Sequence, residues 1–127
     1  MVWGRMEECP VFEAWARTLG EHLGAEPASA AALPFDLGEP GTLEGLLGEA
    51  GFREVAVVRV RGLVRFPSLD VLLRTYASGF RMSPWFAEST PEARARMVAD
   101  MRAECAVYES DRGLEFPITA VLARATA

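Results

Sequence analysis

A change of hydrophobic period near residue 53 limits the folds open to this 127-residue chain. The segments on either side carry apolar residues at helical spacing, whereas from Arg53 to Phe66 apolar residues alternate with arginines. A period of two is typical of a strand. We therefore predict a strand over residues 53–66, ended by Pro67, with Gly62 as a site for a bend. One face would carry Ala56, Val58, Val60, Val64 and Phe66, and the other Arg59, Arg61 and Arg65.

Four other stretches predict amphipathic helices, each with apolar residues three or four positions apart. Three of the predicted helices begin next to a residue whose side chain can cap the helix: Thr42, Ser68 or Thr90. Gly51 occupies a position where a left-handed cap ends a helix. Residues 25–41 are rich in Ala, Pro and Gly, which favours a loop or a short helical turn stopped before Pro34. The predicted helices cover about residues 10–23, 42–50, 68–79 and 91–110, the last ended by residues 111–113.

The final segment is β-branched and apolar without a helical period, and it predicts a buried strand over about residues 116–124. The opening Val2, Trp3 and Gly4 read as the tail of another strand. A chain of this length is near the usual size of one domain. We therefore predict a single α+β domain over residues 1–127, in which an antiparallel pair (about 53–66 and 116–124) is covered by four helices.

Composition argues against nucleic acid, a membrane and a metal ion as partners. The net charge of −5 and the isoelectric point near 4.9 give no long-range attraction for nucleic acid. No apolar run has the length of a signal peptide or a membrane span. Cys9 and Cys105 lie far apart without a C-x-x-C motif or a neighbouring His, which is typical of reduced thiols rather than a metal site. We expect a cytoplasmic protein with no membrane partner.

Three stretches, PFDLGEPGTLEGLLGEAGFREVAVVRV, VRFPSLDVLLRTYASG and GLEFPITAVLARA, carry a family resemblance. In this order they resemble the C-terminal half of small-molecule class I S-adenosylmethionine-dependent methyltransferases. In that family an A-G-F turn, here Ala50-Gly51-Phe52, leads into the sixth strand, and the seventh strand returns antiparallel beside it. The fifth strand pairs with the other side of the seventh. The resemblance therefore implies that Val2-Trp3-Gly4 is the end of a fifth strand.

The resemblance also implies what the chain does not encode. Members of the family bind S-adenosylmethionine through a Gly-rich turn after the first strand and an acidic residue after the second strand. Other Rossmann-like sites bind their cofactors in the same way. No G-x-G-x-G follows a strand here, and the glycines from 38 to 51 fall in a loop and along a predicted helix. We therefore expect no catalytic residues, no cofactor bound by this chain alone, and no methyl transfer by it alone.

In the family, the second half forms the wall and lid of the substrate pocket, and this sequence places many of its aromatic residues between strands. The alternative is that these residues belong to the core or to a dimer interface. His22, the only histidine, fits a solvated or capping role better than catalysis. The strand arginines fit ion pairs or an anionic ligand. The pocket candidates are Trp3, Phe66, Tyr76, Phe80, Met82, Trp85 and Phe86.

Two hypotheses about function follow. The chain is a methyltransferase-related subunit that is inactive alone, or it is a non-enzymatic module, derived from a methyltransferase, that binds an apolar small molecule or dimerises. A truncated product without a selected role is a third alternative. Because the last strand would lack most of a partner on one side, we expect a homodimer or a complex with a cofactor-binding subunit.

Overall fold

An antiparallel sheet lies at the centre of the structure, a computed structural model that describes residues 1–79 and 83–127. Its strands are β1 (Val2–Trp3), β2 (Arg53–Phe66), β3 (Glu109–Ser110) and β4 (Gly113–Thr126). β4 lies between β1 and β2 and is antiparallel to both, and β3 pairs with the start of β4. The predicted antiparallel pair is confirmed: β2 has the predicted bounds, and β4 extends a few residues beyond 116–124 at both ends.

The prediction of four helices is wrong, because the described residues form six α-helices. They are α1 (Pro10–Leu23), α2 (Ala25–Ala32), α3 (Thr42–Glu49), α4 (Leu69–Gly79), α5 (Ser83–Glu88) and α6 (Pro91–Cys105), with short 3-10 helices at Met6–Glu8, Leu33–Phe35 and Ala106–Tyr108. In α2 the high helix propensity of Ala prevails, since Pro27 falls in the first turn, where no backbone donor is needed. In α5 only six residues are helical, too few to show a period.

Two of the three predicted side-chain caps are confirmed, whereas the prediction for Thr42 is wrong: Thr42 is the first residue of α3, Gly41 is the N-cap residue, and no side chain caps this helix. The Ser68 hydroxyl accepts from the Val71 amide at 3.2 Å, and the Thr90 hydroxyl accepts from the Ala93 amide at 3.1 Å. By contrast, α6 ends at Cys105 instead of continuing to residues 111–113. A 3-10 turn and the hairpin of β3 with β4 follow it, and a two-residue strand is too short to be visible as a sequence pattern.

The main core lies between one face of the sheet and the helices. In β4, Leu114 and Phe116 are fully buried beneath α1, α4 and α6, and Val64 and Phe66 of β2 pack against the same cluster. These four side chains share a face because Val64 is opposite Phe116 and Phe66 opposite Leu114. Helices contribute the rest of the buried cluster: Val11, Ala14, Trp15, Leu19, Ala31, Leu69, Leu72, Leu73, Met97, Met101 and Cys105.

The helices cover only half of that face. Val58 and Val60 follow the same alternation as Val64, yet they are 60% and 47% exposed. Leu122, which is opposite Val58 on β4, is 39% exposed. The part of the sheet near the start of β2 therefore presents apolar side chains that no described helix covers.

Two glycines allow the loop after α2 to approach the end of β1. The Gly4 amide donates to the carbonyl of Thr119 at 2.7 Å, which extends the pairing of β1 with β4. A Cβ built at Gly38 would lie 2.2 Å from the carbonyl carbon of Gly4, inside any permitted contact distance. Residue 38 must therefore be glycine for this loop to pack against β1.

We expect Gly38→Ala to lower the free energy of unfolding by about 1–3 kcal/mol, because the added methyl group displaces backbone rather than a movable side chain. Gly45→Ala is the matched control, since its Cβ would meet nothing within 4 Å and Gly45 lies inside α3. That substitution should raise stability by about 0.5–1 kcal/mol. Urea unfolding followed by circular dichroism measures both. Equal effects of the two substitutions would contradict the proposed close approach.

Candidate ligand-binding site

A cleft lined by aromatic side chains lies beside the carboxyl end of β1. It encloses a cavity of about 50 Å³. A second cavity of about 10 Å³ shares Phe12, Trp15 and Tyr76 with it. We call this site the aromatic cleft; its lining residues are Trp3, Phe12, Trp15, Ala31, Pro34, Phe35 and Tyr76.

Five structural elements bring these side chains together. Trp3 is the last residue of β1, Phe12 and Trp15 are three positions apart on α1, and Tyr76 is on α4. The ring of Phe12 is central: its centroid lies 5.0 Å from that of Tyr76 and 5.6 Å from that of Phe35. It also meets Phe116 edge-on at 5.7 Å, so the cleft rests directly on the core.

Trp15 supplies an unusual polar group in this apolar setting. Its side chain is 5% exposed, and its Nε1 is buried without a hydrogen-bond partner in residues 1–79 and 83–127. The Phe86 ring lies 5.6 Å from the Trp15 ring. Most buried donors in folded proteins have a partner, so this N–H is an exception within the described part of the chain.

The described lining of the cleft contains no charged side chain. The only ionisable group there is the phenol of Tyr76, and burial raises its pKa well above the ordinary value. Tyr76 is therefore neutral at physiological pH. An ion entering the cleft would lose its hydration without gaining an opposite charge, so the cleft suits a neutral ligand.

The structure brings some of the predicted pocket residues together and separates others. Trp3 and Tyr76 line the aromatic cleft, and Phe86 packs on Trp15 at its side. Phe66 packs against the core cluster instead. Trp85 is half-buried and lines neither cavity of the cleft. The other two candidates, Phe80 and Met82, lie outside the described residues.

The sequence prediction missed five residues of the cleft, three of them aromatic: Phe12, Trp15, Phe35, Ala31 and Pro34. Trp15 belongs to the apolar stripe of α1, and Phe35 follows a Pro in a segment predicted as a loop. On sequence grounds such residues are expected to stabilise the core. The available signal was the Phe12–Trp15 spacing, which places two large rings on neighbouring positions of one helix face.

A separate groove of about 480 Å³ lies on the opposite face of the sheet and is charged. Arg59 donates to the carbonyl of Gly38 at 2.8 Å and forms an ion pair with Glu8, while Arg65 pairs with Glu115. The ion-pair alternative thus describes two of the three strand arginines. Arg61 has no ion pair within the described ranges. The groove is lined by Glu7, Glu8, Pro10, Arg59, Arg61, Tyr108, Pro117 and Thr119.

His22 links two helices. Its Nε2 lies 2.6 Å from Oδ2 of Asp100, which connects α1 to α6. With Glu21, these residues place three ligand atoms within 4.8 Å of one another, a donor set that a divalent cation accepts. Both carboxylates are exposed to solvent, and the His22–Asp100 contact accounts for the closeness of that pair.

Comparison with protein-family models, with curated proteins and with solved structures found no significant match to this chain. Among the helices in the described ranges, none combines the length and the hydropathy needed to cross a bilayer.

Both thiols are buried near the core and the cleft. Burial raises the pKa of Cys9, and the neighbouring Glu8 raises it further, although a hydrogen bond with the Thr119 backbone opposes the shift. Burial also raises the pKa of Cys105 to about 11, with smaller contributions from Glu109 and Glu104. Both side chains are fully buried. A buried, protonated thiol is a poor nucleophile, so neither cysteine is a candidate catalytic group.

We expect the free energy of unfolding to fall as the pH rises from about 9 towards 11. In this range the thiols and the Tyr76 phenol lose protons in the unfolded chain while the folded chain retains them, so ionisation favours the unfolded state. Below pH 9 this contribution to stability is fully present. Urea unfolding at intervals of one pH unit measures the slope.

The Cys105→Ala variant should show a shallower slope by up to one proton, whatever its stability at pH 7. Because the chain contains no lysine, no ammonium side chain contributes in this range. An unchanged slope in the variant would mean that Cys105 is not desolvated in the folded state.

Proposed function

We propose that this chain is the substrate-side part of a class I S-adenosylmethionine-dependent methyltransferase, and that a separate part binds the methyl donor. The observation that carries the proposal is the strand order β1-β4-β2, with β4 antiparallel to both neighbours. This is the order in which the family resemblance arranges the fifth, seventh and sixth strands. Few residue patterns predict that β1 pairs with β4, because these are the first and last strands in sequence.

The place of the aromatic cleft supports the same proposal. β1 and β2 run in the same direction, since both are antiparallel to β4, and their carboxyl ends lie towards the same end of the sheet. In Rossmann-like sheets, ligands bind beyond the carboxyl ends of the strands. Trp3 ends β1 there, and Tyr76 and Phe86 come from the helices between β2 and β4. The cleft therefore has the position expected of a substrate wall.

The described residues do not fit S-adenosylmethionine itself. In the proposed assignment β1 is the fifth strand, so the strand that carries the Gly-rich turn in the family is not among the described strands, and Glu8, the acidic residue nearest the end of β1 in sequence apart from Glu7, is already paired with Arg59. The cavity of about 50 Å³ is far smaller than the roughly 300 Å³ of even a small ligand pocket. Within the proposal, the residues of this chain bind and orient the acceptor molecule and exclude water from it; they move no proton.

A second function is favoured by a specific observation, the apolar and uncharged lining of the aromatic cleft among the described residues. A stand-alone module that binds an apolar small molecule would use the same cleft without any methyl transfer. The two proposals differ in whether a separate cofactor-binding part is needed. In both, the aromatic cleft binds an apolar small molecule.

Isothermal titration calorimetry with S-adenosylmethionine separates the two functions. The 127-residue chain alone should give no heat of binding, because it lacks the Gly-rich turn and the acidic residue that bind the nucleoside in the family. Mixed with the polypeptide encoded immediately upstream, it should give a binding signal if that polypeptide carries a strand followed by G-x-G-x-G. Tight binding of the methyl donor by the lone chain would refute the proposed division, and an upstream region without such a motif would favour the binding module.

The proposal also assigns a docking surface for the cofactor-binding part. The outer edge of β1 has no partner strand among the described residues, and Val58, Val60 and Leu122 are exposed on the adjoining face. Unpaired backbone groups beside exposed apolar side chains favour association. A strand added to β1, with a helix over Val58 and Val60, would cover both features at once.

The opposite edge of the sheet is a poor place for self-association. If β2 paired with β2 of a second copy about a two-fold axis, the two strands would be antiparallel. Residues directly opposite one another would then lie on the same face of the sheet. Centred anywhere from residue 59 to residue 63, this pairing places arginine opposite arginine among positions 59, 61 and 65. Like charges directly opposite one another are destabilising. A homodimer, the other expected partner, would therefore form through the β1 side as well.

We expect the isolated chain to associate at micromolar concentration, as measured by size exclusion with light scattering. Val58→Asp should shift the chain towards monomer, because it places a charge in the exposed apolar surface. Leu63→Asp is the matched control: Leu63 is 57% exposed and lies on the opposite face of the same strand, so association should persist. A monomeric parent chain, or equal effects of the two substitutions, would contradict this surface.

A further inference from the structure

The charged groove of about 480 Å³ is lined by a strand arginine that no ion pair occupies in the described chain. Arg59 and Arg61 are two positions apart on β2, so both lie on one face of the sheet. Arg59 is bound by Glu8 and by the Gly38 carbonyl. By contrast, neither Arg61 nor Glu7 has an ion pair among the described residues. The lining of the groove therefore includes a cation and an anion that remain available to a ligand.

The strand order places these two charges on opposite sides of β4. Arg61 of β2 is directly opposite Thr119 of β4, and Glu7 belongs to the segment that follows β1, on the other side of β4. Neighbouring strands are about 4.8 Å apart, so roughly 10 Å separates β1 from β2. The Glu8–Arg59 pair spans this distance directly, whereas Glu7 and Arg61 do not meet. A ligand that contacts both must bridge the gap between them.

Thr119 adds a buried hydroxyl to the lining of the groove. The residue is 6% exposed, and its hydroxyl has no hydrogen-bond partner among the described residues. The hydroxyl is nevertheless open to water, because among the described residues the unpartnered side-chain atoms that are closed to solvent do not include it. The Cβ atoms of directly opposite residues are about 5 Å apart, which places this hydroxyl beside the stem of Arg61. A guanidinium and a hydroxyl that both donate hydrogen bonds suit a carboxylate.

The remaining lining defines the size and the charge of the ligand. The volume of about 480 Å³ lies within the range of about 300–1,000 Å³ that is usual for small-molecule sites. Glu7 and Glu8 balance the two arginines of the groove, so the lining has no net charge that would select a simple anion or a simple cation. Between the charged groups, the rings of Pro10, Tyr108 and Pro117 supply apolar contact.

We propose that the charged groove binds a small zwitterion whose ammonium and carboxylate groups are at opposite ends of the molecule, as in an ω-amino acid. Arg61 and the Thr119 hydroxyl bind the carboxylate, and Glu7 binds the ammonium group. This site lies on the opposite face of the sheet from the aromatic cleft. It requires neither methyl transfer nor a second polypeptide, and it goes beyond the proposed function.

Three small probes test the spacing and the sign of the charges. 4-Aminobutyrate carries its charges at opposite ends, its isomer 2-aminobutyrate carries both at one end, and pentanoate has a methyl group in place of the ammonium group of 4-aminobutyrate. Proton–nitrogen NMR spectra of the chain follow each titration. We expect 4-aminobutyrate to bind about threefold to fivefold more tightly than either of the other two, since an exposed ion pair contributes about that much.

Charge-removing variants test the two ends of the site. Arg61→Gln should weaken the binding of 4-aminobutyrate by about fivefold. Arg65→Gln is the matched control: it removes the same charge from the same face of β2, but Arg65 pairs with Glu115 outside the groove, so the affinity should not change. Glu7→Gln should make the affinities for 4-aminobutyrate and pentanoate equal, because the group that distinguishes the two probes is lost.

Thr119→Val separates a ligand-binding role of the hydroxyl from a structural one. The substitution keeps the β-branched shape and removes the hydroxyl, and we expect it to weaken the binding of 4-aminobutyrate by about threefold. The free energy of unfolding, measured with urea, should not fall, because the hydroxyl has no partner to lose in the described chain. A loss of stability with unchanged affinity would assign the hydroxyl to the fold and overturn its role here.

Equal affinities for the three probes, no binding of 4-aminobutyrate at millimolar concentration, or equal effects of Arg61→Gln and Arg65→Gln would each overturn the proposed site. Circular dichroism checks that every variant is folded, and the comparison of probes on the parent chain decides the question without any variant. None of these outcomes bears on methyl transfer, which calorimetry with S-adenosylmethionine tests separately.

Discussion

The pairing of β4 with β2 is the interaction on which the rest of this structure depends. It joins residues 114–126 to residues 53–66 in one continuous ladder apart from an irregularity between Arg53 and Ala56. Through this ladder Phe116 and Leu114 are held under the helices, where each is almost completely shielded from solvent. Phe116 in turn supports the ring of Phe12. The aromatic cleft is therefore built on the best-packed part of the sheet, which keeps its walls in place.

Sequence patterns predicted those parts of the fold that local chemistry defines. The alternation of Arg59, Val60 and Arg61 marked β2, and the hydroxyls of Ser68 and Thr90 marked two helix starts. What escaped prediction depends on tertiary contacts. β3 has two residues, so its pairing with β4 leaves no pattern, and α2 forms in an Ala-rich stretch whose Pro and Gly residues are equally typical of loops.

In the candidate site, too, local patterns predicted some residues, and tertiary contacts determine the others. Trp3 and Tyr76 were predictable, because aromatic residues at strand ends and in the segments between strands often face ligands. Trp15 was not, because its place in the stripe of α1 is that of an ordinary core residue. Only the folded arrangement shows that the indole is enclosed while its N–H has no partner among the described residues. Burial can be read from periodicity; hydrogen-bond satisfaction cannot.

The molecule also keeps its two proposed surfaces apart. The aromatic cleft is small, neutral and enclosed, which suits a ligand end, while the β1 edge and the face of Val58 are open and apolar, which suits a polypeptide. Arginines along β2 disfavour pairing of that edge with a second copy. Arg59 is further tied to Glu8 and to the Gly38 carbonyl, next to the close approach of Gly38 and Gly4 at the end of β1. These contacts therefore help to hold in place the strand β1, at which association is proposed.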